Sequence, residues 1–173
     1  QEVAVYNGSM HMFFFANGST IKFGHYGTSD DDEYQGQEYD WIFMDEATQF
    51  TESQFRTLGA CLRGATNIPR RMYLTCNPGG IGHLWVKRLF VSRQYRDGET
   101  AEDYTFIHAT VDDNPQLLAA SPEYVQMLDL LPDNVRNAWR FGDWDALSGS
   151  FFPEFTKKTH VMEPFWRIPA EWR

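Results

Sequence analysis

Short alternating apolar blocks open the chain, and helical spacing takes over later. Residues 10–16 carry Met10, Met12, Phe13, Phe14 and Phe15 in a run that predicts a strand. Asn17-Gly18 follows, a strong hairpin signal because both residue types accept the left-handed backbone of a tight turn. Residues 19–24 return as the partner, with Ile21 and Phe23 alternating against Lys22. A polar stretch, residues 27–37 with Asp30 to Glu33, reads as a surface loop or the entry to a short helix. Residues 39–44 then form a short apolar block that reads as a buried parallel strand, apolar on both faces.

Thr51 followed by Gln54 has the spacing of a capping box, and Phe55, Leu58 and Leu62 recur at helical intervals. Asn67 and Pro69 break that helix. Residues 71–75 predict a second buried strand, ended by Asn77-Pro78-Gly79-Gly80. Residues 81–91 predict a helix with Ile81, Leu84, Trp85 and Leu89 on one side, and residues 104–109 a third strand. Ser121-Pro122 opens another helix, with Ser121 as cap and Tyr124, Val125, Leu128 and Leu131 on its apolar face. Asp133 caps a further helix that ends at Gly142. Beyond Gly149 the chain is aromatic and proline-punctuated, an extended segment or short strands. Strands alternating with helices predict an α/β fold with a mainly parallel sheet, in which active residues sit at the carboxyl ends of strands.

Composition narrows the class. At 173 residues with 42% hydrophobic and 16% aromatic content, the chain can bury a core, which excludes disorder. No apolar run approaches the roughly 20 residues of a membrane helix. The first residue is Gln1, which reads as a processed chain or a piece of a longer one, with no secretory signal pattern. Cys61 and Cys76 are too few for a disulfide framework and lack the paired spacing of a zinc site, so both read as reduced thiols of a cytoplasmic protein. The net charge of −9 is a poor match for a simple nucleic-acid binder, yet it is uneven: −8 over residues 1–60, +5 over 61–100 and −6 over 101–173. The basic block, Arg63, Arg70, Arg71, Lys87, Arg88, Arg93 and Arg96, is either a phosphate-facing patch or a solvated helix face.

Two strand ends carry chemistry. Trp41-Ile42-Phe43-Met44-Asp45-Glu46 has the Walker B pattern of four apolar residues before two acids. A strand fixes the first carboxylate at the sheet edge, where it can hold Mg²⁺ through water, and the second can polarise an attacking water. The plainer reading is a strand end that caps the next helix. Leu74-Thr75-Cys76-Asn77-Pro78 places a polar side chain at the neighbouring strand end, suited to a phosphate or its lytic water, or else to an ordinary Asn-Pro turn. One helix between them makes a compact βαβ unit with both ends on the same sheet edge.

Several ordered segments resemble the large terminase subunit of tailed phages and prophages. They are Tyr34-Gln35-Gly36, Glu38-Tyr39-Asp40, Met44 to Thr51, Leu62-Arg63 and Thr75 to Gly80, then Asp113-Asn114-Pro115, Arg140 to Trp144 and Gly149 to Phe152. The resemblance implies a RecA-like (ASCE-type) P-loop ATPase core that uses ATP and Mg²⁺ to drive viral DNA into procapsids. It implies Asp45 as the Mg²⁺ acid, Glu46 as the catalytic base, and Thr75, Asn77 and Pro78 as the coupling motif. Arg63, Arg136 and Arg140 are candidates for an arginine near the nucleotide, and Arg88 and Arg93 for DNA contacts. The implied organisation is a partial core over 1–111, a lid over 112–145 and a connector over 146–173 toward an absent nuclease. Double-stranded DNA, the portal protein, the terminase small subunit and a homo-oligomeric ring are the implied partners, in the host cytoplasm and without a membrane.

The sequence departs from the family pattern in two respects. Nothing in it matches Gly-x-x-x-x-Gly-Lys-Ser/Thr, the loop that holds nucleotide phosphates, so the isolated chain is expected to hydrolyse little or no ATP. The family's clustered nuclease acids are expected beyond a segment resembling Pro164 to Arg173, so no nuclease activity is expected of this chain. Asp45-Glu46-Ala47-Thr48 also resembles the box of superfamily 2 helicases, which is the alternative activity. A prophage remnant that only binds partners is the non-enzymatic one.

Overall fold

The structure is a computed structural model that describes residues 3–27, 34–64 and 66–147. The acidic run Asp30 to Glu33 and everything from Ser148 onward, including most of the expected connector, lie outside these residues. The described residues fall into two compact units, one drawn from Gln1–Phe43 with Glu52–Tyr73, the other from Met44–Thr51 with Leu74 onward.

The first unit opens with three antiparallel strands in the order β1 (Ala4–Asn7), β2 (Met12–Phe15) and β3 (Thr20–Lys22). The expected hairpin is present. The Phe15 amide donates to the Ser19 carbonyl at 2.9 Å, the Gly18 amide to the Phe15 carbonyl at 3.0 Å, and Asn17 Oδ1 accepts the Ser19 amide at 3.0 Å. β1 is a strand that the apolar pattern alone did not single out. Its register pairs Tyr6 with Phe13, and the two rings lie 4.8 Å apart, so cross-strand aromatic packing holds a strand only four residues long.

β4 (Trp41–Met44) and β5 (Arg71–Leu74) form a two-stranded sheet with α1 (Glu52–Gly59) between them in sequence. The Arg71 amide donates to the Asp40 carbonyl at 3.2 Å and the Thr75 amide to the Met44 carbonyl at 3.1 Å. The offset is the same at both ends, so the strands are parallel. α1 buries Phe55 and Leu58, and the buried Cys61 thiol donates to the Tyr34 carbonyl at 3.2 Å. β4 is not buried on both faces, contrary to expectation. Trp41 and Phe43 are 53% and 71% exposed, with Phe43 stacked 5.2 Å from Tyr73, whereas Met44 is buried. The two-residue period of a strand divides its apolar residues between a packed side and an open one.

The second unit is mainly helical. A 3-10 turn (Ala47–Gln49) follows the acid pair, and α2 (His83–Val86) runs into a π turn (Lys87–Val91). α3 (Pro115–Ala120), α4 (Pro122–Asp129) and α5 (Asp133–Phe141) follow, with α3 packed on α4 and α4 on α5. The helix expected over 81–91 starts late, and only Trp85 and Leu89 of its expected face are buried. Ile81 and Leu84 are 71% and 70% exposed, while His83, Trp85, Val86 and Leu89 are buried. The preceding turn sets this phase: the Gly82 amide donates to the Thr48 carbonyl at 2.8 Å, and the Trp85 indole to the Phe50 carbonyl at 2.8 Å.

The third strand expected over 104–109 is extended but joins no ladder among the described residues. Ring packing holds it instead, with Tyr104 5.5 Å from Phe90 and Phe106 6.3 Å from Trp144. The caps also differ in detail. Asn114 caps α3 by accepting the Leu117 amide at 3.0 Å, whereas the Ser121 side chain makes no cap bond at α4. Asp133 lies inside the first turn of α5 rather than capping it, and Gly142, at φ 64°, ends the helix as expected.

Gly80 has φ 75°, and a Cβ there would overlap the Thr48 carbonyl oxygen. Gly98, at φ 84°, opens onto nothing within 4 Å. Gly98→Ala is therefore expected to cost only the left-handed penalty of about 1 kcal/mol. Gly80→Ala adds a clash with backbone and should cost about 3 kcal/mol in urea denaturation.

Candidate active site

β4 and β5 end side by side, so the polar residues that follow them meet. Thr75 commits each of its three polar groups to the β4 end. Its amide donates to the Met44 carbonyl at 3.1 Å, its carbonyl accepts the Ala47 amide at 2.9 Å, and its hydroxyl donates to Asp45 Oδ1. That carboxylate oxygen also receives the Glu46 amide at 3.2 Å. Asp45 is thus oriented by the neighbouring strand and by its own chain.

Glu46 is exposed and sits in the left-handed region, at φ 52° and ψ 47°. A non-glycine residue pays roughly 1–2 kcal/mol for that conformation. The 3-10 turn beyond it holds the strain, since the Gln49 amide donates to the Glu46 carbonyl at 2.8 Å. Such a backbone outlier at a strand end is the kind of strain that marks functional positions.

Thr48 ties the two ends a second time. Only 2% exposed, it donates its hydroxyl to the Asn77 carbonyl at 3.0 Å, and its own carbonyl accepts the Gly82 amide at 2.8 Å. Asn77 itself is exposed, and Pro78 behind it is buried. Cys76, next in the chain to Asn77, is half-buried. Burial pushes its thiol up from the ordinary 9.0 to about 11, the negative Glu46 carboxylate adds to this, and a hydrogen bond from the Thr48 backbone opposes it.

Among the described residues, the arginines singled out from sequence are occupied by carboxylates, with one exception. Arg63 lies 3.7 Å from Glu38 in the first unit. Arg136 pairs with Asp133 of its own helix at 2.9 Å. Arg140 binds Asp112 through both terminal nitrogens, at 2.6 and 2.9 Å, and that pair raises the pKa of the guanidinium. Arg88 holds Glu99 the same way, at 2.7 and 3.1 Å, with Glu99 itself 8% exposed. Arg93 is exposed, at φ 52° just beyond the π turn.

Sequence reasoning missed Thr48 and His83. Both lie in the segments whose order carries the resemblance or directly after one, but a threonine after an acid pair and a histidine among apolar residues give no periodic signal of burial.

A mixed α/β chain with an acid pair and a polar residue at the carboxyl ends of parallel strands has the form of sheets that act at their strand ends. The family described as phage terminase large subunit matches residues 1–142, and the chain belongs to that family. None of the curated proteins matches it. The fold is similar to that of the large terminase from a thermophilic bacteriophage in its second crystal form, with TM-score 0.61 and 21% identity over 82% of this chain and 33% of that one. The same phage terminase in complex with ADP aligns with TM-score 0.58 and 22% identity, and in complex with ATP-gamma-S with TM-score 0.55 and 21% identity. These two alignments cover 82% of this chain and 33% and 32% of those chains, so the chain spans about a third of the length of the structures it matches.

Two outcomes follow from this geometry. The Cys76 shift favours the protonated thiol, so its contribution to stability is full below pH 9.0 and lost as pH rises toward about 11. Alkylation of Cys76, followed by peptide mass spectrometry, should have a midpoint near pH 11, and Glu46→Gln should lower that midpoint without returning it to 9.0, because burial remains. Arg88→Met removes the bidentate partner of a buried carboxylate and should cost about 3 kcal/mol. Arg93→Met, on the surface, should stay within about 0.5 kcal/mol by the same denaturation measurement.

Proposed function

We propose that this chain is the ATPase portion of a terminase large subunit, the motor that drives double-stranded DNA into procapsids. The observation that carries the reading is the Asp45-Glu46 pair, oriented by Thr75 of the parallel neighbour, with Glu46 held in a strained backbone conformation. The large terminase of the thermophilic bacteriophage is described in complex with ADP and with ATP-gamma-S, which supports assigning ATP as the ligand of the complete protein.

Asp45 and Thr75 offer the hard oxygen donors that suit Mg²⁺, an ion that keeps much of its water and takes one or two carboxylates beside phosphate oxygens. When bound, Mg²⁺ would supply charge neutralisation at the phosphates. The rest falls to this chain's own residues. Thr75 fixes the rotamer of Asp45. Glu46 orients a water and takes its proton as that water attacks the γ-phosphorus of ATP; the bond to the β–γ bridging oxygen breaks, and ADP and phosphate leave. Asn77 hydrogen-bonds the terminal phosphate or the same water. Its backbone is tied through Thr48 to the acid pair, so a change felt at Asn77 moves the Gly79–Gly82 turn and α2 behind it.

In this reading, residues 112–145 act as a lid and Arg93, not Arg88, faces DNA. The paired Arg63, Arg136 and Arg140 reach a nucleotide only by exchanging their carboxylates. The portal protein, the small subunit and a homo-oligomeric ring are the partners of the complete motor, in the host cytoplasm. The family membership favours packaging over a helicase activity.

In the complete protein, Glu46→Gln is expected to leave ATP binding intact and to lower steady-state phosphate release by about 10²–10⁴-fold, the usual contribution of a general base. Unchanged hydrolysis would remove Glu46 from that role.

A further inference from the structure

The second unit contains a buried histidine with no part in the proposed chemistry. His83, in the first turn of α2, is 4% exposed. Its Nδ1 accepts the Gly79 amide at 3.0 Å, and Gly79 belongs to the turn that directly follows Asn77 and Pro78. Its ring lies 5.3 Å from that of Trp144, which is also buried. Two further contacts join the same places. Lys87, one turn along, binds Asp145 at 2.8 Å, and a Cβ on Gly79 would lie 3.3 Å from Leu147. His83 therefore stands where the strand-end turn, α2 and the 144–147 segment meet.

We propose that His83 is a positioning residue: as a neutral imidazole it holds the Gly79 amide and links the turn carrying Asn77 to the Trp144–Leu147 segment, and protonation of Nδ1 releases that link.

The tautomer follows from the geometry. An Nδ1 that accepts an amide proton has no proton of its own, so the neutral ring carries its proton on Nε2. Nε2 is buried and has no partner at full hydrogen-bond geometry among the described residues, while the Trp144 backbone offers the ring an acceptor that favours its proton. Adding a proton to Nδ1 would set two donors against each other and place a cation in a buried site. The charged groups facing the ring are Lys87, at the start of the π turn, and Asp145 of the 144–147 segment. Burial and the Lys87 charge hold the imidazole below its ordinary 6.5, while the Trp144 backbone and Asp145 pull the other way. A histidine with a lowered folded pKa contributes stability that is full above pH 6.5 and is lost progressively on acidification below it.

The link itself requires no nucleotide. Its consequence for motor coupling rests on the ATPase reading above, and the test is run without nucleotide, so that failure of one does not count against the other. Three variants separate the ring's roles. His83→Asn keeps an acceptor near the Nδ1 position and loses the ring. His83→Gln keeps a polar group near Nε2 and loses the acceptor, and His83→Phe keeps only the ring. In the full chain, amide exchange at Gly79 should quicken by about tenfold in His83→Phe and His83→Gln, the loss of one hydrogen bond, and stay within about threefold of the parent in His83→Asn. In the parent, long-range nitrogen–proton correlation spectra should find the Nε2-protonated tautomer. Gly79 protection, corrected for intrinsic exchange, should fall with the His83 titration below pH 6.5. A merely space-filling histidine predicts that His83→Phe is the best tolerated variant. Unchanged Gly79 exchange in His83→Phe, or an Nδ1-protonated ring in the parent, would overturn the proposal. The tautomer measurement decides it even if a variant does not fold.

Discussion

Thr75 is the residue on which the site depends. A parallel ladder normally stops where its strands stop, leaving the polar groups beyond to water. Here the ladder is carried one residue further, because Thr75 donates and accepts main-chain bonds on either side of the Asp45-Glu46 pair. Its hydroxyl then closes on Asp45 itself. A carboxylate at an open sheet edge would otherwise sample several rotamers, and ordering it later would cost binding energy. Orientation is thus settled during folding. Preorganised groups of this kind do most for a reaction in which little covalent work is asked of the protein.

The second tie extends the same logic away from the chemistry. Thr48 bridges the Asn77 carbonyl and the Gly82 amide from a fully packed position, and Gly80 approaches its carbonyl so closely that no side chain fits. The stretch from Asp45 to Phe50 and the stretch from Thr75 to Gly82 therefore form one hydrogen-bonded body. The Gly82 amide, bonded to the Thr48 carbonyl, joins the entry of α2 to that body. Glycines make this contact possible by removing bulk as well as by tolerating left-handed backbone, which explains a Gly79-Gly80-x-Gly82 sequence that looks loop-like but is tightly packed.

The sequence made some of this legible and hid the rest for physical reasons. The Asn17-Gly18 hairpin and the two strands before Asp45 and Thr75 were readable, because turn chemistry and short apolar runs are local signals. The phase of α2 was not. Ile81 and Leu84 satisfy a helical stripe on paper, but the Gly82–Thr48 bond fixes the helix entry and turns His83 and Val86 inward instead. Residues 104–109 alternate as a strand should, yet alternation reports sidedness, and a strand also needs a partner. The acid pair and Asn77 could be located from spacing. The partners of Arg88 and Arg140 could not, because Glu99 and Asp112 lie 11 and 28 positions away with no pattern joining them.

Those arginine pairs bear on how charge is used in this chain. The basic excess over residues 61–100 suggested a surface that binds phosphates, but much of it is neutralised internally. Arg88 is spent on Glu99, which also takes the Arg96 amide at 2.8 Å and so folds the loop between them. Arg93 stays exposed, on a loop whose shape Arg88 and Glu99 determine. A cation on an ordered loop gives a weaker long-range field than a dense basic cluster, but it would meet an anion without first losing the entropy of a mobile segment. Many simultaneous phosphate contacts make the release of a polyanion slow, whereas a few ordered ones let it go readily.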